Sequence, residues 1–369
     1  MNSPDTSAGS TSTPRLRASL TTFPPYVPGK APKRIDGLAS FKLSSNENYL
    51  EPLPAVTDAM VAHAKNPALY PDDAALALRT ELAERLGVSI EELVVTTGAS
   101  ELLVALTQIT SDATTEAIYP WPSFEMYPQT TGLAGSKRIE VPVRNDGRHD
   151  LDAMAAAITD RTSLIILCSP NNPTGPALRD DEVRRFLAQV PDHVLVALDE
   201  AYWEFATAEG VVNGVDLVAD HPNVVLVRTF SKAHALAGLR VGYALAHTAV
   251  VQGLLKAVIP FGVTDISQAA ALESLRHSDE VDVRAKEIAA VRDDFAHALR
   301  DQGWDVPEAQ GNFVWLPLGQ LSAAFEDACV EQAVAVRNLG DGVRISIGEQ
   351  EGLDRVLAVA AAFYSEHFD

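Results

Sequence analysis

The chain has 369 residues, 47% of them hydrophobic, so it exceeds one ordinary domain and suits a large domain joined to a smaller one. Fifty acidic residues against 29 basic ones give a formal net charge of -21, which repels phosphate backbones and argues against a nucleic-acid partner. No run of 18 apolar residues offers a membrane span, residues 1–20 lack the apolar centre of a signal peptide, and the two distant cysteines, Cys168 and Cys329, suit a reducing compartment, so a cytoplasmic protein is expected.

Residues 2–14 are mostly Ser, Thr, Pro, Ala and Gly, too polar to bury, and read as a disordered tail. A proline-rich segment at residues 23–30 then reads as extended chain draped over a surface. From about residue 55 helices and strands alternate. Residues 75–86 read as an amphipathic helix and 93–97 as a strand, ending in Gly98-Ala99-Ser100 ahead of an apolar helix at 101–110. Short apolar runs recur at 116–119, 164–167, 194–198, 224–227 and 241–245. Their length and β-branched content predict buried strands of a mostly parallel α/β sheet. A helical stretch at 280–300, the expected hinge, leads to strands at 313–316 and 343–347 and a closing helix at 353–367. This C-terminal third is expected to form a smaller α+β domain with the N-terminal segment.

In open α/β sheets ligands bind beyond the carboxyl ends of the strands, and here five such ends carry polar or aromatic residues. They deliver Gly98-Ala99-Ser100 at a helix start, Phe124, Asn171-Asn172-Pro173-Thr174-Gly175, Asp199-Glu200-Ala201-Tyr202, and Ser231-Lys232 with Arg240 eight residues on. Each has an ordinary structural explanation when taken singly. A Gly-Ala-Ser caps a helix, Asn-Pro-Thr-Gly makes a turn, Phe124 fills a core and a lone lysine is solvated.

Together they supply an anion site, an aromatic face, an amide, an acid with a phenol, and an amine with a guanidinium. These are the parts needed to hold pyridoxal phosphate (PLP). A lysine amine condenses with the cofactor aldehyde and later moves a proton, and an Asp keeps the ring nitrogen protonated. Amide and phenol groups donate to the ring oxygen, and Arg and hydroxyl groups complement the phosphate.

The stretch Thr229-Phe-Ser-Lys-Ala-His-Ala-Leu-Ala-Gly-Leu-Arg-Val-Gly-Tyr243 carries a specific family likeness. It is supported by Tyr26-Val-Pro-Gly-Lys30, Ser45-Asn-Glu47, Tyr70-Pro-Asp72, Asn171-Asn-Pro-Thr-Gly175, Asp199-Glu-Ala-Tyr202, Asn312-Phe-Val-Trp-Leu316 and Val343-Arg344-Ile345. Over residues 19–369 the chain resembles class I/II, fold-type-I aminotransferases of the histidinol-phosphate aminotransferase subgroup. Within it the likeness is to the actinobacterial aromatic amino-acid (phenylalanine) aminotransferases.

The resemblance implies a PLP-transferase fold of type I, an α/β architecture whose large domain has a mostly parallel seven-stranded sheet flanked by helices, plus a smaller α+β domain. The expected division is a tail at 1–18, an N-terminal arm and part of the small domain at 19–54, the large cofactor domain at 55–270 and the small domain at 271–369.

By the same resemblance Lys232 is the Schiff-base lysine, Asp199 the partner of the ring nitrogen, and Asn172 and Tyr202 the partners of the ring oxygen. Phe124 stacks on the ring. Gly98, Ala99, Ser100, Ser231 and Arg240 surround the phosphate, and Tyr70 reaches the cofactor of a neighbouring subunit, which implies a homodimer with shared active sites. Arg344 binds the substrate carboxylate, with Arg337, Tyr26 and Asn312 nearby; no metal site is expected.

The implied reaction is ping-pong transamination of phenylalanine or tyrosine with 2-oxoglutarate, with histidinol phosphate as the alternative donor. Two departures from the family pattern bear on the donor. His234 stands at a usually aromatic position, followed by Ala235 in place of a glycine, and Tyr49-Leu50 follows the Asn-Glu pair. His234 is read as a packed or hydrogen-bonded substitute. PLP lyases and decarboxylases share the lysine, the acid and the phosphate cup, and Arg344 argues for transamination over them. A ligand-binding regulator would carry a basic DNA-binding helix, which the N-terminal tail lacks.

Overall fold

Alternate residues along each apolar run face opposite sides of one sheet. In the computed structural model, which describes residues 14–65 and 67–368, seven strands form this sheet. They are β1 (Leu93–Thr96), β2 (Glu116–Trp121), β3 (Lys137–Pro142), β4 (Thr162–Cys168), β5 (Leu195–Asp199), β6 (Val224–Thr229) and β7 (Gly242–Ala246). Their order is β1-β7-β6-β5-β4-β2-β3. Only β7 runs antiparallel to its two neighbours, β1 and β6. Along β4, Leu164, Ile166 and Cys168 join one core cluster while Ile165 and Leu167 join the other. A strand covered by helices on both faces is therefore apolar throughout, which is why these runs do not alternate with polar residues.

The sixfold set of apolar runs omitted β3. This edge strand has the sequence Lys-Arg-Ile-Glu-Val-Pro, and Val141 is its single buried residue. Edge strands resist further pairing by carrying charge, so their sequence lacks the signal of a buried strand.

A second sheet holds β8 (Phe313–Leu316), β9 (Arg337–Asn338) and β10 (Val343–Ser346), antiparallel in the order β9-β10-β8. The N-terminal arm joins this part of the chain: Phe41–Lys42 pairs in parallel with Val334–Ala335. Of the residues expected as a tail, 1–13 lie outside the described residues, 14–17 are irregular and exposed, and Ala18–Thr21 makes a 3-10 turn.

The helix expected at 280–300 spans Ser278–Asp301, and the closing helix Gln350–His367. Arg292, fully buried in the long helix, donates to the carbonyls of Phe205 (2.8 Å) and Gly311 (3.2 Å) and to Thr207 Oγ1 (3.1 Å). One side chain thus ties the loop after β5 to the loop before β8. Among the described residues no helix is long and apolar enough to cross a membrane, and no cluster of side chains suits a metal ion.

Candidate active site

The ends of β1, β2, β4, β5 and β6 open on one edge of the large sheet, because these strands all run the same way. A cavity of about 220 Å³ lies there, lined by Ala99, Ser100, Phe124, Asn172, Asp199, Tyr202, Ser231, Lys232 and Arg240 among others. Nine residues expected for cofactor binding therefore converge from five strand ends.

The anion end is built at the start of helix Ala99–Thr110, whose first backbone N–H groups have no partner within the helix. Gly98 precedes it with φ +81, and a Cβ there would come within 2.5 Å of Arg240 Nη2. The glycine thus allows both the turn and the close approach of the guanidinium. Arg240 Nη1 donates to Ser231 Oγ at 3.2 Å, and Ser231 N donates to Thr229 Oγ1 at 3.1 Å. Backbone amides, a hydroxyl and a guanidinium gathered in this way form a phosphate cradle.

Lys232 Nζ donates to the carbonyl of Asn46 at 3.1 Å. Burial brings its pKa down to about 7, aided by the guanidinium of Arg344 and opposed by Glu47. Asp199 is buried at the end of β5, and burial raises its carboxyl to about 6, against the opposing hydrogen bond from Tyr127. Tyr127 Oη donates to Asp199 Oδ2 at 2.8 Å, and Ala201 N donates to Oδ1 at 3.2 Å. The acid is thereby oriented while remaining an acceptor.

Tyr202 Oη accepts from Asn46 Nδ2 at 3.0 Å, which leaves its own O–H free to donate. Asn172 Oδ1 accepts from Arg344 Nη1 at 2.5 Å, so the amide N–H groups of Asn172 remain donors. An amine, an acid, two donors and an anion cradle around one small chamber match the functional groups of PLP.

Arg344 on β10 also donates to the Ser44 carbonyl at 2.9 Å, while its buried Nε has no partner. Asn312 supports the same corner by donating to the Asn46 carbonyl at 3.2 Å. The other residues expected to bind substrate are placed differently. Arg337 is occupied by the carboxylate of Glu125 at 2.7 and 2.8 Å and by the carbonyls of Pro28 and Val27. Tyr26 is half-exposed on the arm. Tyr70 lies outside the cavity, 83% exposed, with its ring 4.7 Å from that of Phe261. His234 also stands outside it, its Nδ1 2.8 Å from Ser274 Oγ and its ring 4.7 Å from Phe230, with burial lowering its pKa to about 4. Tyr49 does not line the cavity.

Two contributors carried no assigned role in the sequence reading. Tyr127 sits three residues beyond Phe124, in the turn that opens helix Met126–Ala134, where its N–H donates to the Phe124 carbonyl at 2.9 Å. Asn46 adopts φ 52, a left-handed conformation that Asn tolerates, and it links Lys232, Tyr202 and Asn312 through its carbonyl and amide.

A family model described as aminotransferase class I and II matches residues 40–359. The chain is 48% identical over 358 residues to the aromatic amino acid aminotransferase of Streptomyces coelicolor, covering 97% of this chain and 99% of that one. Among solved structures, histidinol-phosphate aminotransferase from Sinorhizobium meliloti in complex with pyridoxal-5'-phosphate superposes with a TM-score of 0.85 at 26% identity, over 96% of this chain and 99% of that one. L-threonine-O-3-phosphate decarboxylase from Porphyromonas gingivalis, at 23% identity and a TM-score of 0.77 over 88% of this chain and 99% of that one, shares the fold alone. The architecture is the type I PLP-transferase fold, and the chain belongs to the class I and II aminotransferases.

Proposed function

We propose that the chain transaminates an aromatic amino acid, phenylalanine or tyrosine, with 2-oxoglutarate as acceptor, using PLP held in the cavity at the ends of β1, β2, β4, β5 and β6. The observation that carries the reading is the convergence of Lys232, Asp199 and the Gly98–Arg240–Ser231 cradle on one chamber. When bound, the cofactor supplies an aldehyde that condenses with amines and a ring that accepts electron density.

The protein's residues divide the remaining work. The helix start at Ala99 and Ser100, with Ser231 and Arg240, holds the phosphate. Asp199 keeps a proton on the ring nitrogen, Asn172 and Tyr202 donate to the ring oxygen, and Phe124 covers one ring face. Lys232, with a pKa near 7, is available as a neutral amine that would take the proton from the donor's Cα and deliver it to the former aldehyde carbon of the cofactor. Arg344 holds the substrate carboxylate, aided by Asn312.

An aromatic donor is supported by the names of close relatives such as the Streptomyces coelicolor enzyme. We assign residues 19–54 to the arm, 55–270 to the cofactor domain and 271–369 to the small domain. We further propose a homodimer in the cytoplasm. The exposed apolar residues Leu69, Tyr70, Ile259 and Phe261 suit a subunit interface, and the buried thiols Cys168 and Cys329 suit a reducing compartment.

The test is to load the protein with PLP and compare wild type with Lys232→Ala. Wild type should show visible absorbance from the lysine-linked cofactor and turn over phenylalanine. The variant should lose that band and its turnover, and an active variant would refute the assignment.

A further inference from the structure

We infer that Asn46 is a positioning residue, which Ser346 holds in one orientation so that the Tyr202 hydroxyl donates into the cofactor chamber and not back to the protein. The inference rests on the reading of that chamber as a PLP site.

Asn46 is 1% exposed and stands where the N-terminal arm runs against β10, with Ser346 N donating to the Leu43 carbonyl at 2.9 Å. Its backbone is left-handed, with φ 52, a conformation that Asn adopts at less cost than most residues. Its carbonyl accepts from Lys232 Nζ at 3.1 Å and from Asn312 Nδ2 at 3.2 Å. Its amide Nδ2 donates to Tyr202 Oη at 3.0 Å. Its N–H and its Oδ1 both meet Ser346 Oγ.

The polarity of these contacts follows from Ser346. The hydroxyl oxygen accepts from the Asn46 N–H at 2.8 Å, and its hydrogen has one acceptor, Asn46 Oδ1 at 2.7 Å. Ser346 is buried, so an Asn46 amide turned over would leave that single hydrogen buried without a partner. With Oδ1 committed to Ser346, the amide presents Nδ2 to Tyr202, and Tyr202 Oη must accept. Burial raises the pKa of the phenol and keeps it protonated. Its own hydrogen meets no acceptor among the described residues, and Tyr202 lines the chamber. That hydrogen is therefore delivered to an acceptor held in the chamber.

The opposite polarity has a definite consequence. An acceptor in place of Nδ2 would take the phenol hydrogen, and the ring oxygen of the cofactor would lose one of its two donors, keeping Asn172. The ring oxygen is most negative when the lysine–cofactor linkage has lost its proton. Donors to it therefore favour the deprotonated form and lower the pKa of the linkage. The direction of one hydrogen on Tyr202 thus bears on the basicity of the group at Lys232.

The experiment titrates the visible absorbance of the PLP-loaded protein without substrate. It compares wild type, Asn46→Asp, Ser346→Ala and Tyr202→Phe, and then Asn46→Asp and Ser346→Ala each combined with Tyr202→Phe. Asp keeps the size of Asn46, its tolerance of a left-handed backbone and an acceptor for Ser346, but sets a second acceptor against Tyr202. Asn46→Asp should raise the pKa of the lysine-linked cofactor by about one pH unit or more, and Ser346→Ala by less. In the Tyr202→Phe background neither substitution should reproduce its shift, since no hydroxyl remains to redirect. A carboxylate acting through its charge alone, or an arm that has only loosened, would shift both backgrounds alike. Ser346→Thr, which keeps the hydroxyl, should titrate as wild type. Ser346→Ala carries the test if Asn46→Asp does not fold. No shift in either single variant, or shifts of the same size in the Tyr202→Phe background, would overturn this inference alone. A wild-type protein without lysine-linked absorbance would instead remove the reading of the chamber on which it rests.

Discussion

Tyr127 Oη donates to Asp199 Oδ2 at 2.8 Å, both side chains buried at the end of β5, and opposes the burial that raises the Asp199 carboxyl to about 6. A hydrogen bond to a charged acceptor contributes about 1.5–3 kcal/mol, so this contact affects both the charge and the aim of the acid. In Tyr127→Phe the Asp199 pKa should rise further, because the opposing hydrogen bond is gone while the burial remains. The acid limb of the kcat profile should therefore move to higher pH by about one unit, with kcat down about tenfold at neutrality. A pH–rate profile identical to wild type would mean that Tyr127 does not set the state of Asp199.

Lys232 titrates near pH 7 in the folded chain against an ordinary 10.5, since burial and Arg344 both disfavour its charged form. Between those values the unfolded chain binds more protons at this position. The stability linked to Lys232 is therefore lowest below pH 7 and rises as pH increases toward 10.5. Lys232→Met should stabilise the cofactor-free protein more at pH 6 than at pH 9, by a difference on the order of 2 kcal/mol. Denaturant unfolding at the two pH values measures this, and equal gains at both would contradict the shifted pKa.

Much of the fold was legible because its strands are covered on both faces. The runs at β4, β5 and β6 are continuous and β-branched, and their alternate residues reach two separate cores. The edge strand β3 escaped detection because a charged, half-solvated strand lacks that signal. The site was legible where a residue type and its place at a strand end agreed, as for Lys232, Asp199 and Asn172. It was not legible where function depends on contacts between distant segments. Arg337 reads from sequence as a substrate cation, yet its charge is spent on Glu125, 212 residues away. Asn46 stands in the Ser45-Asn-Glu47 stretch with no role assigned from sequence, yet it meets Tyr202, Lys232 and Asn312 across three other segments.

Tyr70 is 83% exposed in the single chain and packs its ring on Phe261, outside this chain's own chamber, while its expected role is at the cofactor of a neighbouring subunit. A role across a dimer interface makes a specific prediction for mixed subunits. Tyr70→Ala and Lys232→Ala, each inactive or impaired alone, should form a heterodimer in which one of the two sites is wholly intact, recovering about half of the wild-type activity per dimer. No recovery in purified heterodimers would place Tyr70 outside the partner's active site.

The central claim is that this aminotransferase acts on an aromatic donor. The most direct measurement is the kcat/KM of the PLP-loaded wild-type enzyme for phenylalanine, tyrosine and histidinol phosphate, with 2-oxoglutarate as acceptor. The account predicts that phenylalanine or tyrosine exceeds histidinol phosphate. A clear preference for the phosphate ester would contradict it.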